Sequence, residues 1–153
     1  KLNYPAKIDT VIEQIQPVYF NLVVQIFKDI SENMPLYASK QNEENATYSP
    51  WLDNEDYYIN WNWNSEKIKR FIDAVGYPYE GAKAYLNGKT INFIDVKVIE
   101  DVVVELRDRH IGKVIFIKNG APVVICKEGL IQLTDIRDNK NNPVFLNFRS
   151  RFK

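Results

Sequence analysis

Several kinds of chemistry are excluded by scarcity. The 153 residues hold one cysteine, Cys126, so no intramolecular disulfide and no multi-cysteine metal site can form. One histidine, His110, excludes a His-rich metal site and leaves little for acid–base catalysis. The six glycines are scattered, and no Gly-rich phosphate loop occurs. No apolar run approaches the roughly 20 residues that a membrane helix needs. The opening run Lys1-Leu2-Asn3-Tyr4-Pro5 is polar and mixed, unlike a signal peptide, and a cytoplasmic protein is expected. The formal net charge is zero, with 20 basic and 20 acidic side chains, so the whole chain does not read as a nucleic-acid or membrane-surface binder. Its start at Lys1 fits a processed product or an excised piece.

What is present is enough for a packed core: 45% hydrophobic residues, 13% of all residues being aromatic. The charge is uneven. Residues 1–60 carry four lysines against nine carboxylates, and residues 61–153 carry sixteen cations against eleven. The tail has Arg137, Lys140, Arg149, Arg151 and Lys153 against Asp138 alone. This basic end either meets an anionic partner or is one of two solvated surfaces.

The periodicity divides the chain at about residue 50, into units 1–50 and 51–153. Val11, Ile12, Ile15, Val18, Leu22, Val23, Ile26, Phe27 and Ile30 recur at helical spacing, which predicts a helix over Asp9 to Met34. Asp9 or Thr10 would cap it, Pro17 would kink or restart it, and Pro35 would end it. A stripe this wide predicts packing against the rest of the chain or a second copy. Residues 36–56 are polar and aperiodic and read as a linker, with 47–51 extended. A short helix follows from an Asn64 or Ser65 cap to Val75, with Gly76 as its left-handed C-terminal cap. Two hairpins are marked by Asn87-Gly88 and Asn119-Gly120, dipeptides that accept positive φ at both positions. A bulge is expected near Ile94-Asp95, a further strand over Leu130–Ile136, and a last one over Val144–Phe148. Such an order, helices then short antiparallel strands, is α+β with a small barrel or strongly coiled sheet.

No complete catalytic constellation appears. His110 has no serine or cysteine to activate, Cys126 ends an apolar run as a core thiol does, and Asp53, Glu55 and Asp56 form a solvated acidic loop. Trp61 and Trp63 would share a side if extended, as a stacking platform or as packing for the short helix.

The order of pieces from Tyr48 to Glu100 resembles the C-terminal part of the folate-dependent formyltransferases. Ile59-Asn60-Trp61 stands at the place of an Ile-Asp-Trp element, a short helix follows, Tyr77-Pro78-Tyr79-Glu80-Gly81-Ala82 matches an aromatic-Pro turn closing on Gly-Ala, and the Asn87-Gly88 hairpin comes next. The first helix resembles the last helix of the transferase domain. The resemblance implies a barrel like the oligonucleotide/oligosaccharide-binding fold, serving acceptor binding or dimerisation. It implies a missing N-terminal transferase domain that carries an Asn-x-His and an Asp, so no residue here is assigned to catalysis and none to a metal. The parent enzyme would use 10-formyltetrahydrofolate, with none bound by this part.

Acceptors in the family include methionyl-tRNA and nucleotide-linked amino sugars. The zero charge, the acidic linker and Asp73, where tRNA-type members have Arg, favour a small amine such as an amino sugar over tRNA. A homodimer is expected. The residues that would touch the substrate are Tyr77, Tyr79, Trp61 and Trp63. The competing reading is a stand-alone barrel that uses these aromatics and the basic tail to hold an anionic polymer.

Overall fold

The structure is a computed structural model that describes every residue except Lys1 and Tyr4, so those two members of the polar start and of the unit 1–50 lie outside the described residues. The first helix, α1, runs from Ile8 to Ser31 and passes through Pro17 without a break. Neither Asp9 nor Thr10 caps it. Lys7 is the N-cap and offers no side-chain bond, and Asp9 Oδ1 instead accepts from the Thr10 amide within the helix start. The helix stops four residues before Pro35, at a turn where Asn33 takes φ 53°. No residue of α1 is buried. Ile8, Val11, Ile12 and Ile15 in its first turns are half-buried, but the stripe beyond them is not covered by any described residue. Val18, Phe20, Leu22, Val23, Ile26 and Phe27 all face solvent. The polar segment 36–56 contains short 3₁₀ turns at Glu43–Asn45 and Glu55–Tyr57, and Tyr48 and Trp51 stand out from it.

The second helix, α2 (Ser65–Ala74), starts where Asn64 Oδ1 accepts from the Lys67 amide at 2.8 Å, as its cap chemistry predicts. Its buried side, Ile68 and Ile72, lies on a five-stranded antiparallel sheet. The strands are β1 (Ala82–Leu86), β2 (Lys89–Ile99), β3 (Val114–Lys118), β4 (Ala121–Ile125) and β5 (Leu130–Asp138). Their order is β1-β2-β5-β4-β3. Both Asn-Gly turns have positive φ at both residues, and the β2–β5 register shifts at Asp95. That shift is the predicted bulge, and it turns Ile94 outward.

The closed barrel expected from the resemblance is corrected: the sheet is open, and among the described residues no strand ladder joins edges β1 and β3. The C-terminal residues touch both edges only by isolated bridges, Phe152 to Leu86 and Arg151 to Lys113. Val144–Phe148 is not a strand. Only Pro143 bridges to β5, at Arg137, and Phe145 is almost fully exposed. Gly76 is not left-handed; Val75 caps α2, and Gly81 carries the positive φ of the following loop.

The core sits between α2 and the sheet. Trp61 stacks on Phe152 at 5.2 Å and meets Phe93 edge-on at 5.8 Å. The start of α2 is stitched to the β4–β5 turn: Ser65 N–H donates to Glu128 O at 2.9 Å, and Gly129 has φ 76° with Ser65 pressed against it. A Cβ at Gly129 would lie 2.2 Å from Ser65 Oγ, so the position requires glycine. Among the described residues, no helix is long and apolar enough to cross a membrane.

Candidate functional site

The aromatic residues picked out in the sequence separate into two groups. Trp61 belongs to the core, and its residue is 6% exposed. The chain turns at Asn62 rather than running extended, because Asn60 Oδ1 accepts the Asn62 amide at 3.0 Å. Trp63 therefore faces elsewhere: it packs edge-on against Phe71, with Lys67 Nζ 4.3 Å above its ring. Tyr77 and Tyr79 are exposed on the loop between α2 and β1, beyond a cis Tyr77–Pro78 peptide. The Tyr79 N–H donates to Gly76 O and the Gly81 N–H to Val75 O, both at 2.9 Å, which closes the loop on the end of α2.

The basic tail is partly spoken for. Arg137 makes a two-point pair with Asp135, Nε to Oδ1 and NH2 to Oδ2, both 2.9 Å. Arg151 donates to the carbonyls of Arg109 and Ile111 and so pins the tail to the loop before β3. Lys140, Arg149 and Lys153 form no ion pair among the described residues.

A hollow that the sequence did not announce lies beside that loop. Its volume is about 370 Å³; Val104, Ile115 and Ile125 form the apolar part of its lining, and Lys113, His110 and Arg149 the polar part. Lys113 Nζ lies 3.1 Å from His110 Nδ1, within hydrogen-bond reach. The Arg149 guanidinium sits 5.5 Å from the Phe148 ring. Neither Lys113 nor Arg149 pairs with a carboxylate among the described residues. Two uncompensated cations over an apolar floor make a place for an anion with an unsaturated or apolar neighbour. The three residues come from the 3₁₀ cap after Arg107–Arg109, the approach to β3 and the tail, so only the fold brings them together.

One more charged knot is structural. Arg107 reaches through the β4–β5 turn to the carbonyls of Cys126 and Gly129, at 3.2 and 3.1 Å, and also holds Asp101 and Val102 O. Burial raises the Asp101 carboxyl, but the Arg107 guanidinium and the Val102 amide outweigh it and hold the group below the usual carboxylate range. Cys126 is fully buried, and burial pushes its thiol up to about 12, so it is no nucleophile at neutral pH. Asp53 and Asp56 spend their carboxylates on the amides of their own turn.

Residues 52–148 match the model of the formyl transferase C-terminal domain family. The chain belongs to that family. It is 28% identical over 125 residues to the methionyl-tRNA formyltransferase of Clostridium tetani, covering 82% of this chain and 38% of that protein. With the methionyl-tRNA formyltransferase of Natranaerobius thermophilus it shares 30% identity over 145 residues, 89% of this chain and 45% of that protein. The chain thus spans less than half the length of these curated relatives. Among solved structures, a variant of HypX from Aquifex aeolicus superposes with a TM-score of 0.62 at 16% identity, over 92% of this chain and 25% of that one. HypX in complex with tetrahydrofolic acid superposes with a TM-score of 0.53 at 18% identity, over 81% of this chain and 21% of that one. These two likenesses show a shared fold and no more.

Proposed function

We propose that this chain is the acceptor-binding C-terminal part of a 10-formyltetrahydrofolate-dependent formyltransferase, and that its acceptor is an aminoacyl-tRNA rather than an amino sugar. The observation that carries the reading is the uncompensated pair Lys113 and Arg149 over one hollow, in a chain whose curated relatives are called methionyl-tRNA formyltransferases. The zero net charge, which favoured a small amine, loses its weight once the charges are placed. Cations paired within the sheet domain, such as Lys69 with Asp73, Lys83 with Glu80 and Arg137 with Asp135, cancel locally and leave the unpaired ones to set the field at the hollow.

The Lys113 hollow offers cations and hydrocarbon, not a base with an oxyanion donor. Folate and the formyl-transfer step are therefore assigned to the upstream transferase part, against which the uncovered face of α1 would pack. The chain alone is expected to give only background turnover of 10-formyltetrahydrofolate with any amine.

The test is tRNA binding by the full-length enzyme as a function of salt. Lys113→Ala and Arg149→Ala together should weaken binding across tRNA sequences and flatten the plot of log affinity against log salt by about two units, near 0.9 per lost phosphate contact. An unchanged slope, or formylation of a nucleotide-linked amino sugar in preference to methionyl-tRNA, overturns the reading.

A further inference from the structure

The cationic hollow holds more than phosphate contacts require. Its floor is the small second core of the sheet, where Val104 and Ile115 pack on the buried Ile125. The space of about 370 Å³ equals about a dozen waters at roughly 30 Å³ each. A surface that only tracks a phosphate backbone needs cations and nothing beneath them. Here the cations stand at the edge of a cavity with a hydrocarbon bottom, and a phosphate alone would leave that bottom wet.

The lining can be reached from solvent: Val104, Ile115 and Lys113 are half-buried, and Phe148 and Arg149 are exposed. No carboxylate belongs to it. Of the acidic residues between β2 and β3, Asp101 pairs with Arg107 and Asp108 with Lys127, while Glu100 and Glu105 lie outside the lining. The hollow is therefore positive without local compensation. Backbone bonds place both cations. Ile125 N–H donates to Lys113 O at 3.0 Å, and Arg149 N–H donates to Val114 O at 3.1 Å. Arg149 takes φ 68°, a strained conformation for a residue with a Cβ, which persists only where the surroundings hold it. Its guanidinium rests 5.5 Å from the Phe148 ring, and the two line one side of the hollow.

We propose that this hollow seats one unpaired nucleotide, its phosphate between Lys113 and Arg149 and its base on Val104 and Ile115, flanked by the Phe148 ring. Single strands are bound by this combination, cations on phosphate and bases laid against ring or guanidinium faces. A base inside a duplex is stacked and paired, so only an unpaired one can enter. The source is a single-stranded end of an RNA or a free mononucleotide. The seat deepens the tRNA reading and rests on it for the RNA source of the nucleotide.

The experiment titrates the 153-residue chain with adenosine 5′-monophosphate, ribose 5-phosphate and adenosine, following backbone amide shifts by NMR. The monophosphate should move the amides of Val104, Lys113, Ile115 and Arg149 in a saturable way. Ribose 5-phosphate, which lacks the base, and adenosine, which lacks the phosphate, should each bind roughly tenfold more weakly or worse. Phe148→Ala, at a side chain already exposed, should weaken the monophosphate roughly fivefold and leave ribose 5-phosphate unchanged. Equal affinity for the monophosphate and ribose 5-phosphate would mean cations acting alone, and overturns the seat. Equal affinity for the monophosphate and adenosine, or no saturable shift at these amides up to about 10 mM, overturns it as well. An RNA duplex with one unpaired 3′-terminal nucleotide, set against the same duplex with blunt ends, separates the sources. Roughly tenfold tighter binding of the overhang assigns the nucleotide to RNA, and equal binding of the two duplexes assigns it to a free mononucleotide. The tRNA reading fails separately, on an unchanged salt slope in the Lys113 and Arg149 variants. A slope that flattens as expected, with the monophosphate bound no better than ribose 5-phosphate, overturns the seat and leaves tRNA binding in place.

Discussion

The two helices show what an apolar stripe does and does not announce. In α2, Ile68 and Ile72 are almost completely buried against Phe93 and the sheet. In α1, Val18, Phe20, Leu22, Val23, Ile26 and Phe27 follow the same spacing and are all exposed. Periodicity says that a face needs cover; it does not say that the cover lies in the same stretch of chain. For α2 the cover follows in sequence, across the loop 76–81. Among the described residues, the ion pair and hydrogen bond that tie the start of α1 to the sheet domain run through Lys7, to Asp95 and to the carbonyl of Ile94. An exposed apolar face of this length marks a contact surface rather than a self-sufficient element.

The largest expected effect sharpens that contrast. Phe93→Ala removes a ring that Trp61 and Phe152 both touch, and should cost the sheet domain roughly 3–5 kcal/mol in chemical denaturation. Phe27→Ser on α1 should change the same transition by less than about 0.5 kcal/mol while reducing self-association or docking to the upstream part. A large destabilisation by Phe27→Ser would break the comparison, because α1 would then be shown to share the core.

Much of the sheet domain was legible because its signals are local. Asn87-Gly88 and Asn119-Gly120 each need two positive φ angles in a row, and both turns have them. Asn64 caps α2 through its own side chain, and the apolar pattern of β2 breaks where the bulge lies. The failures are non-local. Val144–Phe148 has strand-like composition, but Pro143 and the turn at Asp138–Asn142 leave it only one bridge to β5, so it never enters the ladder. The sheet stays open, with the tail meeting its two edges only at isolated bridges, which no window of sequence reveals. The site residues divide in the same way. The loop carrying Tyr77 and Tyr79 stood out by composition. The partners that give it a wall, Asp73, Ile94 and Lys7, are brought there by the helix end, the bulge and the chain ahead of α1. Lys113, His110 and Arg149 are likewise gathered from separate segments, and an unpaired cation cannot be told from a paired one before the carboxylates have been placed.

A second effect, smaller than the loss of Phe93, separates ion pairs that hold the sheet domain from those that tie on α1. Arg107 has an 18% exposed side chain and four acceptors, two of them the carbonyls that flank the Lys127–Glu128 turn. Arg107→Ala should leave those carbonyls short of a donor and destabilise the domain by about 2–3 kcal/mol. Since Ser65 and Trp63 bond to that same turn, protection of the α2 amides from hydrogen exchange should fall with it. Arg107→Lys should recover part of the loss, because one ammonium cannot span four acceptors. Full stability in Arg107→Ala would mean that the turn is held by its backbone alone.

The smallest effect lies at the seam between the two regions. Burial raises the Asp95 carboxyl, but hydrogen bonds from Thr134 and Lys7 and the Lys7 charge outweigh it, so the group titrates below its ordinary value. A folded-state value below the unfolded one contributes stability above the unfolded value, about pH 4 for Asp, and that contribution disappears as the pH falls through the folded value. Between pH 7 and about pH 5 the tie should be constant; below about pH 4 the foot of α1 should detach while the sheet domain still holds. Both partners of the pair are about a third or more exposed, so the effect on global stability should stay under about 1 kcal/mol. The sensitive readout is local: amide exchange at Lys7–Thr10 should quicken on acidification well before exchange at Ile68 or Phe93. Asp95→Asn should show the quickened exchange already at pH 7 and remove its pH dependence, with Lys7 left free. If acidification instead loosened α1 and the sheet domain together, the two regions would form one cooperative unit, and the contrast drawn from their burial would fail.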